Sequence, residues 1–544
     1  MIPSKLFEHE LLKVILLDME ANQRLELSKR CPTLQRLEKS VPLKIQHLKF
    51  NPTRTALNET TYNLGIYREY PPGERVPPSF QRDNDKGGVD TDLDEYGFQE
   101  TFNNSTPGAL NLGHRPETHI RGASTSYLKI VGQQNVNYLR AGAEAENRFH
   151  MCQQALERRL ELDAAEEKGA IQVLVQQMLD TVTESAPQFH QFQLPDYKCP
   201  SVPLVYNRDH PDYDKWFREA HRVRDDLFRV PEDPIEFRRA GSMASTHSAA
   251  NIRQQLEQAE AEWLPYSYRL SNQEPPYTLL IQLTIKNGRD IRQIQRVPYV
   301  LKLQQALKKL NTVLLDGRKL LVKKLIVDKR TEVLRLFEGI KFNVEHLEVA
   351  ADVLYKFWPM LDPSCYPLKV LTLMGVEPIH AGMISQIKVT REAQKLVLDN
   401  GFFNHHSLIK ILTNMPNQHI ELLYEGYRFQ DGDFMNLVVQ WLLKGRPVGT
   451  KFLFGIREEA TVRTVFELVE EKVGQRRVED RRFNIPMKNG SRLTISYHPA
   501  PEMIAPVENH DNEVRRMENL MSPLTREYET RWILQMEVVQ SQRQ

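Results

Sequence analysis

An acidic stretch early in the chain has residue types that could bind a metal ion. In DNDKGGVDTDLD, Asp83, Asp85, Gly88 and Asp94 occupy positions 1, 3, 6 and 12 of an EF-hand calcium loop. Position 5 is a glycine that offers no oxygen ligand, and position 12 lacks the bidentate glutamate. The two prolines of Pro77–Pro78 also argue against the helix that must enter such a loop. A solvated acidic turn is therefore favoured, and no metal site is predicted.

Catalytic chemistry has little support elsewhere in the sequence. The chain contains no GxxxxGK[ST], GxSxG or HExxH motif. His405 and His406 are adjacent, so on a helix their side chains would point about 100° apart and could not share a metal ion. The basic runs GRKLLVKK and GQRRVEDRR have acidic or apolar neighbours, which favours a solvated face over a nucleic-acid patch. We therefore predict no enzymatic activity, no cofactor and no nucleic-acid partner.

The composition is that of an ordinary globular protein. The chain has 544 residues, of which 40% are hydrophobic, and its 72 basic and 71 acidic side chains nearly cancel. This length suggests about two to four units. The four cysteines are far apart and form no CxxC, so free thiols are the simplest interpretation. The first apolar run is interrupted by Glu8, Glu10 and Lys13, which fits neither a signal peptide nor a membrane span. We expect a cytoplasmic or nuclear location, or both, and no membrane partner.

With no chemistry indicated, interaction surfaces become the main candidates, and the first lies at the N-terminus. Apolar residues there recur every three or four positions, which predicts an amphipathic helix. Asn22 is a candidate cap for a second helix, Pro32 suits the start of a third, and Pro42 ends it. Residues 1–42 are thus predicted to form a three-helix module, too small to bury its apolar face alone. The predicted partner-docking side chains are Leu6, Leu11, Leu12, Ile15, Leu16, Leu25 and Leu27.

Four further segments follow from composition and periodicity. Residues 43–138 are predicted to hold one strand, LKIQHLKF, and then a mostly irregular segment rich in proline and glycine. Residues 139–265 are predicted to be a helical and irregular insert, whose last helix ends at Pro265. Residues 266–500 are predicted to be an α/β repeat-like recognition domain, and residues 501–544 a helical tail.

The recognition domain has a weak internal repeat. Short strand-like segments centre on leucines at 325, 347, 371, 396 and 422, with steps of 22, 24, 25 and 26 residues. Steps of about 20–29 residues with an L-x-[LV] strand are typical of leucine-rich repeats, whose units must stack to bury their apolar faces. The consensus asparagine is missing, which favours an irregular relative of that repeat. An ordinary α/β domain with evenly spaced strands remains the alternative.

Alternation along stacked strands predicts a single outward-facing surface. A mixed polar and apolar set suits protein recognition better than a small-molecule pocket, which is usually concave and apolar. A merely solvated sheet face remains an alternative. The predicted target-facing residues are Lys324, Ile326, His346, Glu348, Thr372, Lys395, Val397, His419 and Glu421.

The sequence also resembles a known family. LFEHELLKVILLDMEANQRLELSKRCPTLQRLEKSVPL resembles a divergent F-box, a three-helix module with similar apolar spacing and a basic-cysteine turn like Lys29–Cys31. YNLGIYREYPPGERVPPSFQRDNDKGGVDTDLDEYGF and PPYTLLIQLTI are similar to the nematode-expanded F-box C-type proteins, which carry a domain of unknown function. This resemblance implies substrate recruitment: the helical module docks on the linker subunit of an SCF-type ubiquitin ligase, and the rest of the chain binds a target protein.

Together these features predict a fold class and a function. The fold is expected to be α+β, with a small N-terminal three-helix F-box-like module, then irregular and helical segments, then a C-terminal leucine-rich-repeat-like body. The expected function is that of a non-enzymatic F-box-type adaptor. A scaffold or interaction protein that has lost linker docking is the main alternative, and an enzyme without recognisable motifs is the third.

Overall fold

The fold of the chain is that of a computed structural model. It describes residues 4–100, 109–112, 124–167, 240, 243–244, 246–328, 331, 333–375, 381–399, 412–422, 431–456, 458–488, 490–500 and 532–541. These residues form a mixed arrangement of helices around a 14-stranded sheet, so the predicted α+β class is confirmed. None of the helices in these segments is both long enough and apolar enough to cross a membrane.

Three α-helices and one 3₁₀ turn precede the first strand. The Glu20 carboxylate, rather than the predicted Asn22 side chain, caps the second helix by accepting hydrogen bonds from the Asn22 and Gln23 backbone N–H groups. Pro32 begins a 3₁₀ turn, where its missing N–H costs little. The described helices are α1 (Ser4–Asp18), α2 (Ala21–Arg30), α3 (Gln35–Ser40), α4 (Pro78–Lys86), α5 (Ser124–Glu167), α6 (Ala249–Ser271), α7 (Leu303–Leu315), α8 (Leu354–Phe357), α9 (Ala381–Ile384), α10 (Lys388–Glu392), α11 (Asp431–Lys444) and α12 (Glu459–Val473).

A single large sheet joins the two ends of the described chain. The described strands are β1 (Leu43–Phe50), β2 (Arg54–Leu57), β3 (Thr60–Glu69), β4 (Asp92–Leu93), β5 (Gln99–Glu100), β6 (Ala109–Asn111), β7 (Thr278–Asn287), β8 (Asp290–Pro298), β9 (Leu320–Val327), β10 (Val333–Arg335), β11 (Phe342–Ala350), β12 (Val370–Met374), β13 (Lys395–Asp399), β14 (His419–Leu422), β15 (Lys451–Ile456), β16 (Arg482–Pro486), β17 (Ser491–Pro499) and β18 (Trp532–Gln540). The strand order of the large sheet is β16-β17-β18-β15-β14-β13-β12-β11-β9-β1-β2-β3-β7-β8, and two small two-stranded sheets, β10-β6 and β4-β5, lie outside it.

The centre of the sheet is parallel, and both ends are antiparallel. Strands β1, β9, β11, β12, β13, β14 and β15 pair side by side in parallel. One antiparallel group, β2, β3, β7 and β8, extends the sheet beyond β1, and another, β18, β17 and β16, extends it beyond β15. The N-terminal strand therefore pairs directly with the predicted recognition domain, because Leu48 of β1 lies beside Leu325 of β9.

One buried row of side chains crosses all seven parallel strands. It contains the predicted leucines at 325, 347, 371 and 396, which are direct neighbours in the register. The fifth position is Ile420 rather than the predicted Leu422, because Ile420 pairs with Leu396. Leu48 and Phe452 complete the row at its two ends. These side chains are at most 1% exposed, so the row forms the spine of the main hydrophobic core.

Aromatic side chains from the C-terminal helices pack on the buried side of the sheet. Trp441 of α11 packs edge-on against Phe452 of β15, with ring centroids 4.8 Å apart. Phe466 of α12 packs against Phe483 of β16 at 4.9 Å. These contacts place both helices against the apolar side of the sheet.

Several predictions about the middle and end of the chain are wrong. The segment expected to be mostly irregular contains β2, β3 and α4, because its prolines lie at element boundaries. Pro78 begins α4, so Pro77–Pro78 does not prevent a helix there. Helix α6 continues through Pro265 to Ser271. The tail expected to be helical contains strand β18, which fits between β15 and β17; residues 501–531 lie outside the described residues.

Candidate interaction surfaces

Two polar rows flank the buried row on the open side of the parallel strands. The basic row precedes the buried residue of each strand and the mixed row follows it. In register, the basic row is His47, Lys324, His346, Val370, Lys395, His419 and Lys451. The mixed row is Lys49, Ile326, Glu348, Thr372, Val397, Glu421 and Leu453. Adjacent strands lie about 4.8 Å apart, so each row is a line about 29 Å long.

All nine predicted target-facing residues lie in these two rows, so the structure brings them together on one face. The prediction missed both ends of that face. His47 and Lys49 come from β1, near the start of the chain, and Lys451 and Leu453 come from β15. The signal for β1 was present in its sequence, because Ile45, Leu48 and Phe50 repeat the apolar spacing of Val322, Leu325 and Val327, and all six are buried.

Ion pairs link the two rows. Lys324 Nζ lies 2.9 Å from a Glu348 carboxylate oxygen on the neighbouring strand. Lys395 Nζ lies 2.7 Å from Glu421 Oε1, and His419 Nε2 lies 2.9 Å from the same oxygen. Glu421 is the most buried of these groups, at 7% exposure. The carboxylates therefore fix the positions of basic side chains that remain partly exposed.

Two imidazoles of the basic row have perturbed pKa values. Burial lowers the pKa of His47, and Lys324 and Lys49 lower it further, while Glu348 and Glu59 oppose the shift. Burial also lowers the pKa of His346; Glu345 opposes this shift, and Lys369, Lys323 and Lys324 add to it. Both side chains thus favour the neutral form near pH 7, and lysines supply most of the positive charge of the basic row.

The N-terminal helices present a second surface. On α1, Leu11 is 50% exposed, Leu12 37%, Val14 56% and Ile15 48%. Four large apolar side chains on about one and a half turns are thus incompletely covered by the rest of the chain.

The other predicted docking residues lie elsewhere. Leu16 is buried and packs in a small cluster with Leu37 and Val41, and Leu27 is half-buried beside it. Leu25 is buried in the main core, so it supports the fold of the module. Leu6 lies on α1, but its side chain is outside the described residues. Of the six predicted docking residues whose side chains are described, Leu11, Leu12 and Ile15 are exposed, and Leu16, Leu25 and Leu27 are buried or half-buried and support the module.

Buried charges fix these helices to the body of the protein. The Glu38 carboxylate, 1% exposed, accepts hydrogen bonds from Arg24 on α2 and from Arg318 in the loop before β9. Arg24 also donates to the Leu16 and Pro42 carbonyl oxygens, and thereby joins the end of α1 to the start of β1. The exposed stripe of α1 therefore has a fixed orientation relative to the sheet.

The acidic stretch considered for calcium has an ordinary structural role. Asp83 lies on α4 and pairs with Arg68, with 3.2 Å between Oδ2 and Nη1. Asp94 accepts hydrogen bonds from the Tyr96 and Phe98 backbone N–H groups, and burial raises its pKa. In the part of the chain that the structure describes, no group of three or more His, Cys, Asp or Glu side chains could hold a metal ion. His405 and His406 lie outside that part.

Comparison with known proteins identifies one related region. Residues 302–458 match the family described as Domain of unknown function (DUF3557). This region begins just before α7 and ends just before α12, and it contains six of the seven parallel strands. No curated protein matches the chain, and no solved structure matches it. The match agrees with the expected domain of unknown function and covers most of the face formed by the basic and mixed rows.

Proposed function

We propose that the chain is an F-box-type adaptor that recruits a target protein to an SCF-like ubiquitin ligase. The N-terminal helices would dock on the ligase linker subunit, and the open face of the parallel sheet would bind the target. In this proposal the chain performs no catalysis: it fixes the distance and orientation between ligase and target.

The observation that carries the proposal is the apolar stripe of α1. Leu11, Leu12 and Ile15 remain 37–50% exposed, although buried leucines of the same module show that the chain can cover such side chains. Exposed contiguous apolar side chains are typical of a protein-binding surface. The predicted F-box spacing includes these three residues, which supports a partner-docking role for the stripe.

The fixed connection to the sheet supports the adaptor role. The buried Arg24, Glu38 and Arg318 cluster holds the helices, and β1 leads from them into the centre of the sheet without a linker. A rigid adaptor limits the positions that a bound target can occupy. The match of residues 302–458 to a domain of unknown function is also consistent with the resemblance to F-box C-type proteins.

The leucine-rich-repeat-like description of the body belongs to this proposal. Successive parallel strands of the described chain are direct neighbours, and their buried residues align in one row. Stacked units of this kind create an extended face for recognition. We propose that the body is an irregular member of that class and that the nine predicted target-facing residues contribute to target binding.

Co-purification with the linker subunit tests the proposal. The tagged full chain should capture the linker, and Leu12→Asp or Ile15→Asp should abolish capture, because a buried carboxylate without a partner is strongly disfavoured. Leu443→Asp is the matched control, since Leu443 is 60% exposed on α11, distant from α1 in the sequence. Circular dichroism should show the same melting midpoint for all four chains.

Two outcomes would contradict the proposal. Undiminished capture by both α1 variants would exclude the stripe as the docking surface. Failure of the native chain to bind the linker, together with recovery of other protein partners through the sheet face, would favour the scaffold that has lost linker docking.

A further inference from the structure

The basic row suggests which kind of target segment the sheet binds. Six of its seven positions are lysine or histidine, contributed by six parallel strands that are far apart in the sequence, from His47 to Lys451. The register places these side chains on one straight line across the sheet. Strand spacing sets about 4.8 Å between neighbours, which is within the reach of carboxylates on an extended peptide.

The carboxylates beside the basic row leave some of the lysine N–H donors available. Each lysine ammonium has three N–H donors. Glu348 contacts the ammonium of Lys324 from one side, and Glu421 contacts that of Lys395 from one side, so each lysine has donors on its other side. Both glutamates belong to the mixed row and approach from the same side. Lys451, on the last parallel strand, pairs in register with Glu537 of β18, whose carboxylate accepts a hydrogen bond from Gln535. The other side of the basic row adds Lys323 and Lys369, of which Lys369 pairs with Glu345 at 2.9 Å.

Charge complementarity therefore selects the partner. We propose that the basic row binds an extended, acidic segment of the target protein, lying across the parallel strands with its Asp or Glu side chains on the lysines. This inference rests on the proposed function only in naming the segment as part of a recruited target. The affinity of the row for acidic peptide is a property of the sheet itself.

A nucleic acid fits this face less well. Glu348 and Glu421 lie two residues along their strands from the basic row, on the same face, where a continuous phosphate backbone would meet them. The two rows also contain no Phe, Tyr or Trp side chain on which a base could stack. An acidic peptide carries discrete carboxylates that can approach the lysines from the side away from these glutamates.

Fluorescence anisotropy with labelled deca-glutamate tests the inference on the full chain. At pH 7 and low salt, deca-glutamate should bind saturably and deca-lysine should not, and added salt should weaken binding. The double variant K324Q/K395Q should bind at least tenfold more weakly. Glu348→Gln should bind several-fold more tightly, because it releases Lys324. The control K444Q/K472Q removes two exposed charges from helices α11 and α12 and should bind as the native chain does.

Each other result would overturn the inference. Equal binding by K324Q/K395Q and the native chain, or equal weakening in K444Q/K472Q, would exclude the basic row. An unchanged or weaker affinity in Glu348→Gln would show that Lys324 does not act as proposed. Tighter binding of a single-stranded RNA 12-mer than of deca-glutamate, lost in K324Q/K395Q, would make the face a nucleic-acid site.

A linker pulldown with the same variants separates this inference from the proposed function. K324Q/K395Q should capture the ligase linker as well as the native chain does, because α1 is unchanged. A native chain that binds deca-glutamate but captures no linker would leave the acidic-peptide site standing and remove the adaptor. The converse result would remove only the acidic-peptide site.

Discussion

Arg318 and Glu38 form a bidentate ion pair between segments that are distant in the sequence. Arg318 Nε and Nη2 lie 2.9 Å and 2.8 Å from the two Glu38 carboxylate oxygens, and both side chains are at most 3% exposed. Arg24 Nε donates to the same carboxylate at 2.9 Å. The last N-terminal helix is thus tied to the loop that starts the central strand β9, which couples the proposed docking surface to the proposed target surface.

The first prediction concerns this pair. Arg318→Ala should lower the free energy of unfolding by about 3 kcal/mol, because it leaves part of the buried Glu38 charge uncompensated. Urea denaturation followed by circular dichroism measures the loss. Lys369→Ala is the control: its ion pair with Glu345 is exposed, so its removal should cost less than about 1 kcal/mol. Similar losses in the two variants would contradict a structural role for the buried pair.

A second prediction tests the alternation of the parallel strands. Leu371→Ala should destabilise the protein by roughly 2–5 kcal/mol, because Leu371 is fully buried in the main core and its truncation leaves a cavity. Thr372→Ala, one residue later on the open face, should change the free energy of unfolding by less than about 1 kcal/mol. Chemical denaturation of both variants provides the measurement. A larger loss for Thr372→Ala would mean that the two faces are assigned the wrong way round.

How far the sequence predicts this fold depends on whether the signal is local. Leu325, Leu347 and Leu371 repeat a local apolar spacing, so the strands and their outward residues were predictable. The error at Leu422 arose because HIELL offers several apolar residues, and only pairing with Leu396 selects Ile420. Local patterns also misassigned the β18 segment, since its strand forms only by fitting between β15 and β17.

The two ends of the candidate face show the same limit. The apolar spacing around His47 matches that of β9, but a shared spacing does not show which strands are neighbours, because this pairing joins the start of the chain to a segment in its second half. The exposed group of α1 was predictable from its spacing. The burial of Leu25 and the exposure of Leu12 could not be predicted from the sequence, because they depend on which side of the module the body of the protein covers.

A third prediction concerns a close backbone crossing. Gly65 on β3 lies against the turn after α4: a Cβ atom there would overlap the Gly87 carbonyl oxygen and lie 2.9 Å from the Gly88 carbonyl carbon. Because both obstacles are backbone, Gly65→Ala should cost roughly 1–3 kcal/mol. Gly382→Ala, where the added atom meets open space, is the matched control. Differential scanning calorimetry should find a lower melting temperature for Gly65→Ala alone, and equal temperatures would contradict the crossing.

The fourth prediction is a pH dependence of stability that originates in the basic row. The pKa of His47 in the folded chain lies below its ordinary value of about 6.5, chiefly because of burial and then because of Lys324 and Lys49, so the unfolded chain binds the proton more readily. Well above pH 7 the imidazole is neutral in both states and contributes no pH dependence. As the pH falls through 6.5, the unfolded state gains protons first, and the folded state loses relative stability until the pH drops below the folded pKa.

His47→Gln should remove part of the loss of folding stability at low pH. Urea midpoints of the native chain should fall between pH 7.5 and pH 5.5, and the fall should be smaller in His47→Gln and smaller again in H47Q/H346Q, because the pKa of His346 is shifted in the same direction. Measurements at pH 7.5 provide the control, since there the loss of a neutral imidazole should change the midpoint only through packing. An equal or steeper fall in the double variant would mean that these two side chains are not held neutral by the fold.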